Sequence, residues 1–596
     1  MAESSPRSLS GSLPRSFRDT PDTFLAQSLS GFVASHPDAR WDDHGFIARA
    51  TPVVTDAGGP AVAVISGGGS GHEPMHSGFL GEGMLAAAVP GHLFTSPNAV
   101  QITEATRWAN DAGGGRGVVH IVKNYTGDII NFRVARQGLP EVDTREVIVA
   151  DDVATGGSAD PESSDGPGRR GTGATILVEK VAGAAAHRGY SLNDVTRVAR
   201  TVADNSRSMA AALAPGHLPT SGRDTFDLDE GEMEIGVGIH GEPGVERTGV
   251  SEAAEVASRL VDAIVDDLGL TAGDSVIGLV NGLGGTTLLE LNLVFDHVLR
   301  RLTDAGIRVA RSFVGSYVTS VNMAGVSVSL TRLGKGTADA AGTGSTAGTE
   351  ILDLLDAPTS APAWPQTIGV DPAPVDATMH VPEDIPGGGP EDGTNEWLSA
   401  FVAGVVGAVD DLTELDRLAG DGDFGTNMQA AFGDLPQPLT GSDADVLAAL
   451  ANRLFVRAGG TSGAVFGTLF REMSVTAAGG ADAGLTAGEL AQALQRALVA
   501  VTELGGAAPG DRTMVDALAP AAAAAKDAVT GAGASSPDAA PDLAAIHAAA
   551  MEGARSTADL SGHKGRASYL GDRARGVIDP GALVVAWLFG GAGEMN

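Results

Sequence analysis

Two patterns of apolar positions divide the chain. From about residue 20 to 355, short runs rich in Val and Ile recur: AVAVIS (61–66), GVVHIVKN (117–124), EVIVADDV (146–153), MEIGVGIHG (233–241), SVIGLVNGLGG (275–285) and RVARSFVGSYVTS (308–320). Each has the length and composition of a buried strand. Between them lie stretches with helical spacing, such as SEAAEVASRLVDAIVDDL (251–268). Strands alternating with helices predict an α/β sheet. A segment of about 335 residues is large for one core, so two α/β lobes are expected, dividing near 195–230.

From about residue 395 the pattern changes. NEWLSAFVAGVVGAVDDLTELDRLAG, DADVLAALANRLFVRAGG, TAGELAQALQRALVAVTELGG and LAAIHAAAMEGARSTADL are Ala/Leu-rich, with few β-branched runs. They predict an all-helical bundle over 395–596. The Pro-, Gly- and Asp-rich stretch 356–394 reads as a semi-extended linker. Residues 1–20 are Ser/Arg/Pro-rich without an apolar segment, which predicts a disordered extension and not a secretory signal. No apolar run is long enough to predict a membrane span.

Composition narrows the function. The 596 residues carry 39 basic and 74 acidic side chains, a formal charge of −35 spread along the chain. That charge opposes binding to nucleic acid or to anionic membranes. A polyanion such as ATP would need a metal ion or backbone amides to compensate. There is no cysteine, which excludes disulfides, thiolate catalysis and Cys-ligated zinc. A reducing compartment fits, and the cytoplasm is expected.

Candidate chemistry follows. GGGSGHEP (67–74) comes after a strand, but His72 follows Gly71 where a P-loop needs Lys then Ser or Thr, and Pro74 breaks the dinucleotide fingerprint. LGKGT (333–337) fails as a P-loop too. The turn at 67–74 is either a tight strand-to-helix connection or a set of exposed amides for ligand oxygens. IVKNYTGD (121–128) places Lys123 and Asp128 at a strand end, where α/β folds usually bind ligands. His240, in GVGIHGEPG, is either a satisfied structural histidine or a nucleophile toward a carbonyl carbon. As a nucleophile it would need a carboxylate and a second polar group, which Asp128 and His72 could supply.

LTELDRLAGDGDFGTNM (412–428) holds Asp416, Asp421 and Asp423. One unbroken helix cannot converge residues at those spacings, but the glycines 420, 422 and 425 let the chain fold back. All-oxygen donors favour Mg²⁺ or Ca²⁺ over zinc. The EF-hand pattern fails, since Gly425 and Phe432 stand where ligands belong, so Mg²⁺ shared with phosphates is the better reading. AGGTSGAVFG (458–467) would expose amides at a helix start, with Thr461 and Ser462 as hydroxyl donors.

With VNGLGGT (280–286), GDRTMVDAL (510–518) and GRASYLGDRARGVIDPGA (565–582), these motifs occur in one order. The sequence resembles the single-chain ATP-dependent dihydroxyacetone kinases over about residues 25–355 and 395–590. The resemblance implies a multidomain protein: a two-lobed α/β substrate-binding domain (21–355), then an all-α nucleotide-binding barrel of antiparallel helices (395–596). It implies phosphoryl transfer from ATP, with Mg²⁺, to dihydroxyacetone or a related short ketose. Relatives driven by phosphoenolpyruvate keep the two modules on separate chains, and the fusion favours ATP. It further implies a homodimer with no nucleic-acid or membrane partner.

Residue by residue, the resemblance implies that Gly69, Ser70, Gly71, His72, Lys123 and Asp128 line the substrate. His240 would form a hemiaminal with the ketone, assisted by His72 and Asp128. Asp416, Asp421 and Asp423 would hold Mg²⁺. Gly422, Phe424, Thr461, Ser462, Thr513, Met514, Asp579, Pro580 and Gly581 would complete the ATP site with Asp421 and Asp423. Thr172, Gly173 and Ala174 depart from a Leu-Ala-Gly common in relatives, with packing effects alone expected. Phe424 stands where relatives often have a small or polar residue. Erythrulose or glyceraldehyde are the alternative substrates, and a non-enzymatic ketose-sensing co-regulator is the alternative of another class.

Overall fold

The structure is a computed structural model that describes residues 16–156, 168–335, 346–377, 393–477, 484–531, 535–562, 564 and 574–591. Most of the expected N-terminal extension, 378–392 of the linker, 336–337 of LGKGT and 565–573 of the last motif lie outside the described residues. The chain forms two compact units, Met1–Asp376 and Ala377–Asn596.

The first unit holds two sheets. One contains β1 (Ala39–Asp42), β2 (Phe46–Arg49), β3 (Ala63–Ser70), β4 (Ala87–Leu93), β5 (Val118–Lys123) and β6 (Thr144–Val149), in the order β1-β2-β4-β3-β5-β6. β4, β3, β5 and β6 pair in parallel, with helices Ala99–Ala112 and Thr126–Gln137 as crossovers. The first of these helices begins at a capping box, Asn98 with Gln101, which meets amides that otherwise lack partners. Parallel pairing sets the carboxyl ends of β3 and β5 along one edge, which brings Ser70 and Lys123 to the same side.

The second sheet contains β7 (Ser206–Ala214), β8 (Glu232–Ile235), β9 (Glu246–Gly249), β10 (Asp274–Gly282), β11 (Arg308–Gly315), β12 (Ala324–Lys335) and β13 (Gly369–Val370). Its order is β13-β11-β10-β12-β7-β8-β9, and only β10 and β11 are parallel. β12 follows β11 without a crossover helix, so it returns antiparallel. The first sheet ends at Val149 and the second begins at Ser206, so the change of sheet lies between them, earlier than most of the expected 195–230. The two sheets nevertheless share one core, a buried cluster that includes Val64 and Ile121 of the first and Ile277, Leu279 and Phe313 of the second. Between them runs helix Thr175–His187, buried from Thr175 to Ala186. A Cβ on its Gly183 would lie 2.3 Å from Met84 Cα, so only glycine permits that approach.

Three expectations change here. MEIGVGIHG is a strand only through Ile235, because Gly236 and Gly241 take positive φ and turn the chain. His240 is therefore on a loop. Residues 356–376 are not linker. Trp364 is 6% exposed and packs its ring against Phe79 and Phe313, while β13 pairs with β11. Proline-rich composition concealed a segment that buries a large aromatic. Within the expected extension, Arg18 donates to the Pro219 carbonyl.

The second unit has nine α-helices among the described residues. Glu396–Gly407, Val409–Ala419, Phe424–Phe432, Asp443–Arg457 and Gly460–Ala477 precede Ala487–Gly505, Val515–Thr530, Leu543–Ser556 and Pro580–Gly590. From Asp443 onward each packs on the next, and the last packs on the first, closing a ring. Trp397 Nε1–H donates to the Leu588 carbonyl (2.6 Å) across that closure. No helix of the described residues is long and apolar enough to cross a membrane.

Candidate active site

In the first unit, β3 ends in the glycine turn. Gly71 has φ +103°, and a Cβ there would strike the Phe94 ring at 2.7 Å. A Cβ on Gly69 would lie 2.6 Å from the Thr95 amide nitrogen. The glycines let the β4 end press against the turn, where His72 stacks on Phe94 (ring centroids 4.9 Å apart).

His72 is fully buried, and its Nδ1 lies 2.7 Å from the Thr319 carbonyl oxygen. A carbonyl only accepts, so Nδ1 carries the proton and Nε2 is a lone-pair acceptor. Burial, with the nearby His240 and Lys123, pushes this imidazole well below its ordinary pKa, which keeps it neutral. Its ring meets His240 edge-on, with centroids 4.8 Å apart.

His240 is 20% exposed and packed edge-on by Tyr125 (4.7 Å) and Phe94 (5.3 Å). Its Nδ1 lies 2.8 Å from Glu242 Oε1, and its amide donates to Glu242 Oε2 (2.9 Å). The carboxylate that orients this imidazole is therefore Glu242, two residues on, and not Asp128. Burial alone would raise the Glu242 carboxyl, but the His240 hydrogen bond and charge, with backbone amides, hold it at about 2. In the neutral ring Nδ1–H faces this carboxylate, which leaves Nε2 as the nucleophilic lone pair.

Lys123 and Asp128 come from the end of β5 and the first turn of the following helix, both buried, with Nζ 3.7 Å from Oδ2. His72 Nε2, Asp128 Oδ1 and the Tyr125 hydroxyl are buried without a hydrogen-bond partner. Burial, with the charge of Glu242, raises the Tyr125 phenol well above its ordinary value and keeps it protonated. Two acceptors and one hydroxyl left unpaired are costly unless a polar ligand satisfies them. Of the sequence candidates here, Ser70 instead turns inward, donating to the Gly91 carbonyl (2.8 Å). Thr172 is also more than packing: its amide and hydroxyl hold Asp151 (2.6 and 2.8 Å).

The second unit carries a separate pocket. Asp416, Asp421, Asp423, Phe424, Thr461, Ser462, Thr513, Met514, Asp579, Pro580 and Gly581 all line it, so every candidate of this half except Gly422 faces one space. Helix Val409–Ala419 ends at Gly420, and Gly422 (φ +81°) reverses the chain into helix Phe424–Phe432. The three aspartates thereby offer oxygens within 4.8 Å of one another. Burial raises the Asp416 carboxyl, and the charges of Asp421 and Asp423 add to it, offset in part by the Phe424 amide. Such mutual repulsion fits a divalent cation, and the all-oxygen set suits magnesium.

Helix Gly460–Ala477 opens on this pocket, with Thr461 and Ser462 in its first turn. Phe424 is buried against Phe466 (5.8 Å), so the departure from a small residue extends the core. Asp579 caps helix Pro580–Gly590 through the Ala582 amide, and burial raises its carboxyl to about 6. Composition did not point to Arg512. This residue is 1% exposed at φ +61°, lines the pocket, and donates to the carbonyls of Thr557, Ala574 and Val577. Its partners are 45 to 65 residues away, so no local pattern marks it. Glu242 left a legible trace, because a carboxylate two positions after a histidine can reach back to that residue's own amide.

Two matched domain models span both halves: Dak1 over residues 30–363 and DAK2 over 418–594. The chain belongs to the dihydroxyacetone kinase family, in the form that fuses both domains in one polypeptide. It is 34% identical over 582 residues to the triokinase/FMN cyclase of Rattus norvegicus, covering 94% of this chain and 95% of that one. It is 34% identical over 603 residues to the L-erythrulose 1-kinase of Mycolicibacterium smegmatis, covering 97% and 98%. Among solved structures it is similar to the dihydroxyacetone kinase of C. freundii (TM-score 0.59, 28% identity, 97% and 99% covered). It is also similar to that kinase in complex with AMP-PNP and Mg²⁺ (TM-score 0.58, 29% identity, 97% and 99% covered).

Proposed function

We propose that the protein phosphorylates dihydroxyacetone with ATP, holding the ketose as a hemiaminal on His240. The observation that carries this reading is the His240–Glu242 pair beside three buried polar atoms that lack partners. The His240 Nε2 lone pair adds to the ketone carbon, and the carbonyl π pair moves to oxygen, which takes a proton from water. The ring then carries positive charge, which the ionised Glu242 stabilises through Nδ1–H. His72 Nε2 and Asp128 Oδ1 accept hydrogen bonds from ligand hydroxyls, and Asp128 takes the proton of the hydroxyl that attacks phosphorus. A triose makes few contacts, so the covalent bond supplies retention that contact area cannot.

In the second unit, Asp416, Asp421 and Asp423 would hold Mg²⁺, and Thr461 and Ser462 would meet ATP phosphates. Thr513, Met514, Asp579, Pro580 and Gly581 surround the nucleoside. Bound magnesium supplies neutralisation of phosphate charge, and the remaining demand on the protein is alignment. The C. freundii complex with AMP-PNP and Mg²⁺ supports this assignment. The M. smegmatis relative supports erythrulose as the second reading under the same mechanism. ADP release measured across dihydroxyacetone, D-glyceraldehyde and D- and L-erythrulose tests both. The highest kcat/KM is expected for dihydroxyacetone, and a tenfold preference for erythrulose would transfer the assignment.

A further inference from the structure

Lys123 and Asp128 are opposite charges in a nearly waterless site, yet Nζ and Oδ2 stand 3.7 Å apart. In such surroundings an ammonium and a carboxylate attract strongly and close to contact unless something else holds one of them. The ammonium is held elsewhere, since Nζ lies 3.0 Å from His76 Nε2. His76 Nδ1 in turn lies 2.5 Å from Glu179 Oε1. Glu179 is fully buried on the helix between the two sheets, and its Oε2 has no hydrogen-bond partner.

The proton positions in this chain follow from the partners. Lys123 Nζ only donates, so the His76 Nε2 facing it must be an accepting lone pair. Nδ1 therefore carries the ring proton and donates it to Glu179. Burial, with the adjacent ammonium, lowers the His76 pKa and agrees with a neutral ring. Ser66 Oγ, 3.0 Å from Nδ1, donates its own proton to the Ile121 carbonyl, so toward Nδ1–H it is a second and longer acceptor beside Glu179 at 2.5 Å. The glycine turn makes room for the arrangement, because a Cβ on Gly68 would lie 2.0 Å from Nζ. The two orphan oxygens, one on Asp128 and one on Glu179, mark the ends of a chain with one ammonium shared between two carboxylates.

We propose that His76 and Glu179 are positioning residues that hold Lys123 back from Asp128, which keeps the Asp128 carboxylate free to accept the substrate hydroxyl and its proton. The inference rests on the reading above, in which Asp128 acts on the ketose. Without the pull of His76, Nζ closes on Asp128, occupies its oxygens and makes it a weaker base. The effect falls on turnover more than on ketose capture, which His240 and His72 maintain.

The test is steady-state ADP release by the full chain, with dihydroxyacetone varied at saturating Mg-ATP. H76L and E179A are expected to lower kcat about 10- to 100-fold while the ketose KM stays within about 3-fold. E179Q keeps an acceptor for Nδ1–H and is expected to recover at least about a third of the parent kcat. H76A, which likewise removes the acceptor facing Nζ, replaces H76L if that variant does not fold. The inference is overturned if kcat in H76L (or H76A) and E179A stays within twofold of the parent. It is equally overturned if KM alone rises, or if E179Q is as impaired as E179A. D128A separates the two levels. An inactive D128A with unchanged H76L and E179A defeats this inference alone, whereas a fully active D128A defeats the reading beneath it.

Discussion

The two units solve the problem of burying charge in opposite ways. The first encloses Lys123, Asp128, His72, His76 and Glu179 in a core rich in valine and isoleucine, each at 5% exposure or less. These groups remain folded-state compatible because they pair with one another or stay neutral. The second buries fewer charged groups, Asp416, Arg453, Arg512 and Asp516, around a core built on Ala, Leu and Phe, and carries its acidic loop at the rim of a pocket. There only Asp416 of the three carboxylates is buried. The contrast follows from the ligands proposed for each. A small neutral ketose needs enclosing directional groups, whereas a nucleotide brings its own charge and metal to an open site.

The sharpest way to break this comparison is to disable each unit separately. H240A is expected to lower kcat with dihydroxyacetone by at least about 10³-fold, with binding of a fluorescent ATP analogue unchanged. D421N/D423N should give the reverse pattern: loss of Mg²⁺-dependent nucleotide binding by at least about tenfold, with ketose adduct formation on His240 still detectable by mass spectrometry of the intact chain. If H240A abolished nucleotide binding as well, the division of labour would not stand.

A smaller effect is expected from E242Q. The neutral amide still accepts the Nδ1–H bond but cannot stabilise a positive ring, so kcat should fall about 10- to 100-fold. Unchanged turnover would remove Glu242 from the mechanism. W364A tests the boundary between units, since opening a cavity of that size costs about 3–5 kcal/mol. Hydrogen exchange should accelerate in peptides of the first unit and not of the second. Equal acceleration in both, or in neither, would return residues 356–376 to the status of a linker.

The smallest expected effect is the response to acid. His72, His76 and His120 are buried and neutral, with pKa values below the ordinary 6.5, down to about 3 for His120. Unfolded, each binds a proton below pH 6.5 that the folded state refuses, so stability falls as pH drops through 6.5. The slope approaches about 1.4 kcal/mol per pH unit for each histidine. Asp152, raised to about 6 by burial despite Arg170, opposes them, as do Glu73 and Asp204, whose carboxyls burial also raises. In the second unit the raised Asp416 and Asp579 bind protons more readily folded than unfolded, so that unit gains stability as pH falls from about 6 toward 4. Hydrogen exchange on the nucleotide-free chain between pH 6.5 and 5.5, corrected for intrinsic rates, should show the first unit loosening alone. Parallel loosening of both units would contradict the contrast in buried charge.

What could be read without coordinates was whatever local pattern controls. Valine-rich runs marked β3, β5, β6, β10 and β11, because strands with buried faces are rich in apolar residues, most fully in β3, β5 and β10, which are buried along their whole length. Helical spacing marked the second unit. Asp416, Asp421 and Asp423 were legible because glycines between carboxylates announce a folded-back acidic loop. β12 and β7 were missed: serines and alanines interrupt their apolar runs, and both are central in their sheet only by virtue of their neighbours. Tertiary structure alone decided that Lys123 is shared through His76 with a glutamate 103 residues beyond that histidine, and that Trp364 closes the first core. Periodicity and turn chemistry act over a few residues. Pairing of buried charges depends on which groups are brought together once water is excluded, and that is settled only when the sheets and the helix between them have closed.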